Sequence, residues 1–326
     1  MKQTKSFDVA VAGELNMDLI LYGLPERLQP EREHLAEAMA LTLGSSSAIF
    51  AHNLAALGNR VGFISRIGED LMGEAARRWL AEGGVDTSRL RRASSPAQSG
   101  LTVILARRAD RHILTYPGTT FELCYDDLDF DYLASARHFH MASFFLHRAL
   151  RPRMRETFAR IKQAGLTISL DTNDDPDDVW DGNLSPVLKW VDVLLLNERE
   201  VKKLAGAQDL TEAVRQLAAR VPLLVVKLGE RGALARRGDD QWRAAGIDVQ
   251  ALDSVGAGDS FDAGFVHQYI RGADVETCLR FGNLTGALSV TRAGGTQAFR
   301  DRAYAEQFMK EHGPLGPTQP ATQGRP

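Results

Sequence analysis

Short apolar runs that alternate with helical patterns constrain this chain more than any other feature. The runs are Phe7–Ala12, Val61–Ile64, Ala136–Met141, Leu166–Leu170, Val191–Leu196 and Leu223–Val226. Between them lie helical patterns at Leu71–Glu82, Arg151–Ala164, Glu198–Leu204 and Thr211–Ala219. Short runs that are apolar at successive positions suit strands buried on both faces. Strands alternating with helices imply a parallel sheet covered on both sides. The expected fold is therefore α/β and Rossmann-like, with helices on both faces of the sheet.

Two stretches break the alternation. Leu35, Glu37, Met39, Leu41 and Leu43 share one face if the chain there is extended, although the Ala, Glu and Leu content also suits a helix. A second extended pair lies at Leu101–Leu105 and His112–Tyr116, joined by the charged turn Arg107–Arg111. These stretches are expected to form a small β lid, inserted at about 15–43 and 98–117 of a domain spanning 1–312. Residues 313–326, rich in Pro, Gly, Gln and Thr, are expected to be a disordered tail.

Composition excludes several function classes. The formal charge of -3 offers no basic surplus for nucleic acid. Two cysteines, Cys124 and Cys278, argue against a disulfide framework and fit a reducing compartment. Met1–Phe7 is polar, and Val9–Ala12 is too short for a signal core or a membrane span, so a cytoplasmic protein without membrane contact is expected. No G-x-G-x-x-G follows the first strand, no Gly-Lys-Ser/Thr follows a glycine loop, and no G-x-S-x-G elbow occurs.

Phosphate chemistry then rests on Asp253-Ser254-Val255-Gly256-Ala257-Gly258-Asp259-Ser260-Phe261. Phe261, Phe265, Val266, Tyr269 and Ile270 continue it at helical spacing. Glycines at a helix start free backbone N–H groups to meet an anion at the positive end of the macrodipole. Asp259 is then a candidate general base beside an anion hole. The plainer alternative is a tight turn in which Asp259 caps the helix.

Polar clusters follow other strands. Asn16 and Asp18 alternate after the first strand and suit polyhydroxyl recognition, or a polar turn. Gly44-Ser45-Ser46-Ser47 opens a helix, as N-cap chemistry or as a close-approach surface for a sugar. Asp171-Thr172-Asn173-Asp174-Asp175 reads as a solvated loop or a ligand site. Asn197 and Glu200 make a capping box. Lys227–Ala233 carries Gly229 and Gly232, which suit a nucleotide or a turn into the next strand. His138 and His140 share a strand face but lack a third ligand at zinc spacing, so both are read as ordinary strand residues.

From about Asp8 to about Gln297 the order of these motifs resembles the ribokinase-like carbohydrate kinases, the PfkB family. The stretch 253–261 looks like that family's C-terminal signature. The resemblance implies an ATP-dependent kinase for a hydroxymethyl group of a small sugar or sugar acid. It makes Asp259 the base and Gly256, Ala257 and Gly258 the anion hole for the γ-phosphate. It puts Asn16, Asp18, Gly44 and Ser45 at the sugar. Asn197, Glu200, Lys227, Gly229, Gly232 and Asn283 fall at the nucleotide, with Glu200 acting indirectly on Mg2+. Asp253 and the loop 291–296 fall where many members bind a monovalent cation such as K+.

Two departures bear on the substrate. Gly44-Ser45 stands where the family's N-terminal signature usually starts Gly-Gly, and Ile49 replaces an Asn, so a ribose-type contact is lost. Asn53 lies one helical turn further along and is the candidate substitute. An arginine common in the family after Asn173 is also missing, and the extra carboxylates there argue against a phosphorylated acceptor. A nucleoside kinase is the alternative within the fold, with Phe50, Phe144 and Phe145 as candidate walls for a base. A non-catalytic sugar or nucleotide sensor is the alternative of another class. The lid would leave edges and an apolar face, so a homodimer through it is expected.

Overall fold

The computed structural model describes residues 5–93, 97–106 and 111–313. The expected turn at 107–111 therefore lies outside the described residues except for Arg111, as does the expected tail except for Gly313. The strands in chain order are β1 (Val9–Ala12), β2 (Asn16–Tyr22), β3 (Ala38–Leu43), β4 (Val61–Ile67), β5 (Asp86–Arg92), β6 (Gly100–Ala106) and β7 (Arg111–Tyr116). They continue as β8 (His138–Met141), β9 (Thr167–Asp171), β10 (Val193–Asn197), β11 (Leu223–Lys227), β12 (Ala233–Arg237) and β13 (Asp240–Ala244).

Nine strands form one sheet in the order β13-β12-β11-β10-β9-β8-β1-β4-β5. Every pair from β11 to β5 is parallel, and the β11–β12–β13 edge is antiparallel. Successive residues of the central strands feed opposite cores, which is why the runs are apolar throughout. Val9, Val11, Val193, Leu195 and Val225 pack with Phe261, Phe265 and Leu279 on one face. Ala10, Ala12, Leu194, Leu196 and Val226 pack with Phe158, Val201 and Leu217 on the other. The fully buried Phe265 of helix Ala257–Tyr269 anchors the first face. Truncating it to Ala would cost about 3–5 kcal/mol.

The chain leaves β1 towards β4 on one side and returns as β8 on the other. This reversal places a crevice at the carboxyl ends of β1 and β8, where such sheets bind ligands. Over it lies the second sheet, in the order β3-β2-β6-β7. Its central pair β2–β6 is parallel and both outer pairs are antiparallel.

Local details differ from expectation. The helix expected from Arg151 begins as a 3-10 turn at Arg151–Arg153 around Pro152 and becomes α-helical at Met154–Gln163. The strand expected from Ala136 starts at His138, and β3 starts only at Ala38. β5 escaped the reading because its sequence, DTSRLRR, is charged and polar. Edge strands carry such residues to discourage pairing with other chains.

Candidate active site

The stretch 253–259 becomes a turn that hands the chain into helix Ala257–Tyr269. Gly256 sits at φ 72, and a Cβ there would lie 2.5 Å from the Gly295 Cα. Both the left-handed backbone and the close approach therefore require glycine. Ile49, the residue that replaces the expected Asn, packs below this turn: a Cβ on Gly256 would lie 3.1 Å from its Cδ1, and one on Gly295 2.7 Å. An apolar side chain thus props the turn where the resemblance implied a polar one. Gly258 follows in the first turn of the helix, where N–H groups have no intrahelical acceptor. A Cβ on it would approach only the Lys227 side chain, with Nζ at 3.5 Å.

Asp259 is buried, at 8 % exposure. Burial, then repulsion from Asp171, raises its carboxyl to about 6, against the pull of Lys227 and a hydrogen bond with Ser46. Asp18 rises to about 7 through burial and then repulsion from Asp259. The two carboxylates thus share one buried field. Asn16 donates from Nδ2 to Thr102 Oγ1 at 3.1 Å, and its buried Oδ1 has no hydrogen-bond partner. A Cβ on Gly44 would lie 2.1 Å from Asp18 Oδ1 and 2.9 Å from Asn16 Oδ1. Only glycine lets the backbone run so close to both acceptors.

Ser45 adopts φ 62 at the N-cap of helix Ser46–Ala56, which explains the expected glycine there. A non-glycine residue in this region costs about 1–3 kcal/mol. Its hydroxyl donates to the Glu14 carbonyl at 2.8 Å and caps the Ala48 N–H at 3.4 Å, which offsets part of that strain. The expectation for Asn53 is corrected. Its Nδ2 donates to Ser260 Oγ at 2.9 Å and to the Gly295 carbonyl at 2.8 Å, and its Oδ1 lies 2.9 Å from His52 Nδ1. Fully buried, Asn53 ties helix Ser46–Ala56 to the turn and offers a ligand nothing.

On the other side of the turn, Lys227 ends β11 and Asp171 ends β9. Lys227 Nζ donates to Asp171 Oδ2 at 2.6 Å and to both oxygens of Asp262 at 3.2 and 3.1 Å. Burial alone would lower the Lys227 ammonium, but Asp171, Asp262 and Glu200 outweigh it and hold the charge. Glu200 rises to about 8 by burial and then by repulsion from Asp171. It accepts from the Asn197 N–H at 2.8 Å, and Asn197 accepts in turn from the Glu200 N–H at 3.0 Å, so the expected capping box is formed.

A cleft of about 510 Å3 joins Lys227 and Gly258 to Gly229, Asn283, Ala287 and Val290. Gly229, at φ 62, has open space around its missing side chain. Gly232 also lines the cleft, but a Cβ there would lie 2.1 Å from the Ala244 carbonyl, so its missing side chain serves the turn into β12. Asn283 donates to the Ala244 and Ala245 carbonyls at 3.1 and 2.9 Å, leaving its carbonyl oxygen to the cleft.

Asp253, the residue expected at the cation, is already heavily engaged by protein donors. Its Oδ2 accepts from the Tyr22 hydroxyl at 2.9 Å and the Gly294 N–H at 2.8 Å, and its Oδ1 from the Val255 N–H at 2.9 Å. Both lone pairs of Oδ2 are thereby committed. The lid also reaches the turn through Arg111, which donates to Ser254 Oγ at 2.9 Å, and through Ile20 and Ile104 packed on Val255. Among the described residues, no group of three or more His, Cys, Asp or Glu side chains could hold a metal by itself.

Sequence reasoning missed a second layer. Glu14 is buried and accepts from Ser47 Oγ at 2.7 Å and Ser143 Oγ at 2.8 Å, with His147 Nε2 at 3.5 Å. Ser143 in turn donates its N–H to Asn173 Oδ1 at 2.8 Å. The one available signal was a carboxylate inside an otherwise small, apolar loop. Phe50, Phe144 and Phe145 are core residues and provide no wall for a base. His138 and His140 lie buried, bridged by Ser169 Oγ at 2.7 and 2.8 Å, and burial keeps both neutral.

A family model described as pfkB family carbohydrate kinase matches residues 6–302. An ATP-dependent ribose-1-phosphate kinase from Halopiger xanaduensis is 30% identical over 294 residues, 89% of this chain and 94% of that protein. An uncharacterized sugar kinase from Archaeoglobus fulgidus is 28% identical over 245 residues, 75% of this chain and 96% of its own length. In fold, the chain is similar to an Arabidopsis thaliana ribokinase solved with ribose and ATP, with a TM-score of 0.77 at 22% identity over 93% of this chain and 99% of that one.

Proposed function

Because the chain belongs to the pfkB family of carbohydrate kinases, we propose that it transfers the γ-phosphoryl group of ATP to a hydroxymethyl group of a small, uncharged sugar. The observation that carries this reading is the meeting of Asp259 and Asp18 with the Gly256–Gly258 turn in one buried place. Asp259 takes the hydroxyl proton as the oxygen attacks in line, and its raised acidity range suits a base that works near neutrality. Asn16 Oδ1 and Asp18 accept hydrogen bonds from other sugar hydroxyls and fix the attacking one. The helix start and Lys227 receive the negative charge that develops on the phosphoryl group. An acceptor that already carries a negative charge would be repelled by Asp18, Asp171 and Asp259, which favours a neutral one.

The nucleotide occupies the cleft between Gly229 and Val290, with its phosphates towards Lys227 and Gly258. Mg2+ would neutralise phosphate charge. Asp171, and indirectly Glu200, which is engaged in the capping box, would hold its waters. No step here needs a monovalent cation. The lid closes over the acceptor and keeps water from competing with it.

The outer face of the lid is apolar. Register puts Leu21 beside Met39, Val103 beside Leu114 and Leu101 beside Tyr116, all on the side away from Asp18. Met39, Leu114 and Tyr116 are 67%, 58% and 54% exposed. Two lids packed through this face would form a homodimer. The kinase reading is tested by ADP release across panels of pentoses, hexoses, aldonates and nucleosides. Neutral sugars should give the highest kcat/KM. Preference for nucleosides, or ligand-induced stabilisation without ADP release, would overturn it.

A further inference from the structure

Gly258 and Asp262 are four residues apart in helix Ala257–Tyr269, so they lie on one face of it, one turn apart. Lys227 Nζ meets that face at both points. It is 3.1 Å from the Asp262 carboxylate and would be 3.5 Å from a Cβ on Gly258. Its third neighbour, Asp171 Oδ2, is 2.6 Å away on β9. The side chains of Asp171 and Asp262 are each only 1% exposed, whereas that of Lys227 is 11% exposed and borders the nucleotide cleft. An ammonium on a flexible four-carbon stem would otherwise sample many positions. Here two buried carboxylates hold it from behind, and the missing side chain of Gly258 leaves its front open towards the helix start.

We propose that Asp262 is a positioning residue for phosphoryl transfer. It holds the Lys227 ammonium beside the first-turn N–H groups, so that the anion hole contains one side-chain cation as well as backbone donors. The idea rests on the kinase reading of the Gly256–Asp259 turn. It also gives Gly258 a second role, because any side chain there would stand between Lys227 and the transferring group. It accounts as well for a carboxylate that capping does not require. Asp262 is in the second turn of the helix, too far along to satisfy the orphan N–H groups.

The test is a set of variants of the full chain assayed with ATP and the best neutral sugar. Asp262→Leu keeps the volume and removes the acceptor. Its kcat should fall roughly 10- to 100-fold, the effect of letting a reacting group move by about an ångström, with the KM for sugar unchanged. Asp262→Asn keeps an oxygen for Nζ and should stay within about threefold of wild type, which a charge-only role would not allow. Lys227→Met should lower kcat about 100- to 1000-fold, as for loss of one preorganised donor. The double variant Lys227→Met/Asp262→Leu should be no slower than Lys227→Met alone. Circular dichroism confirms folding of each, and the Asn variant separates misfolding from mispositioning. An unchanged kcat for Asp262→Leu, or losses that multiply in the double variant, would overturn the inference. If Asp259→Asn abolished turnover while Asp262→Leu did not affect it, this inference alone would fall and the kinase site would stand.

Discussion

Replacing Asp259 by Asn separates catalysis from stability. Unfolded, Asp259 ionises near 3.8, whereas in the folded chain burial and Asp171 move it to about 6. The native state therefore binds this proton more tightly than the unfolded state does. Its stability falls as pH rises from about 4 to about 6, and the loss then stays constant. A shift of that size corresponds to roughly 3 kcal/mol. Asn has the same shape and no charge, so at pH 7.5 the variant should be about 2–3 kcal/mol more stable than wild type. At pH 4 the two should be equal. Thermal melts over pH 4–8 read this directly as a gap of several degrees that opens between pH 4 and 6. Turnover should fall about 100- to 10,000-fold, because the hydroxyl proton loses its acceptor. In wild type, kcat/KM should rise as pH passes through about 6, where Asp259 gives up its proton. Near-normal turnover would show that Asp259 is not the base. A variant less stable than wild type at pH 7.5 would refute the electrostatic argument itself.

The glycines of the turn should part ways. Gly256→Ala forces a Cβ to within 2.5 Å of Gly295 at positive φ and should lose at least about 2 kcal/mol in denaturant unfolding. Gly258→Ala meets only ordinary contact at 3.5 Å, so it should fold normally and lose turnover about tenfold or more through the anion hole. Exchanging K+ for choline should change wild-type kcat less than about twofold, because Tyr22 already fills Asp253; a roughly tenfold K+ activation would refute that assignment. The proposed dimer should appear for the wild type by sedimentation, and Leu114→Glu, on the outer face of the lid, should leave only monomers at the same concentrations; a monomeric wild type would refute it.

Much of the architecture was legible because its signals are local. Each buried parallel strand is a short apolar run, and the period changes where a helix begins. The lid strands showed their two-residue alternation, although β3 starts at Ala38, three residues after the pattern's first residue, Leu35. β5 was invisible for the opposite reason: an edge strand needs few apolar residues. At the site, Asp259 and the glycines stood out because they sit within one short stretch. Asn53 was misread because a buried Asn and a ligand-facing Asn occupy the same helical spacing, and only its partners tell them apart.

By itself, the sequence determined a parallel α/β fold, a lid, and a glycine-rich turn that runs into a carboxylate at a helix start. These follow from periodicity and from backbone demands that only glycine meets, and both act over a few residues. Tertiary structure decided the charges around that turn. Lys227 meets Asp171 across 56 residues and Asp262 across 35, and Tyr22 reaches Asp253 across 231. Those meetings depend on which strand ends become neighbours when the sheet reverses at β1. The helix start offers first-turn N–H groups from its own backbone, but the burial and the charges around it raise the Asp259 carboxyl and hold Lys227 as a cation.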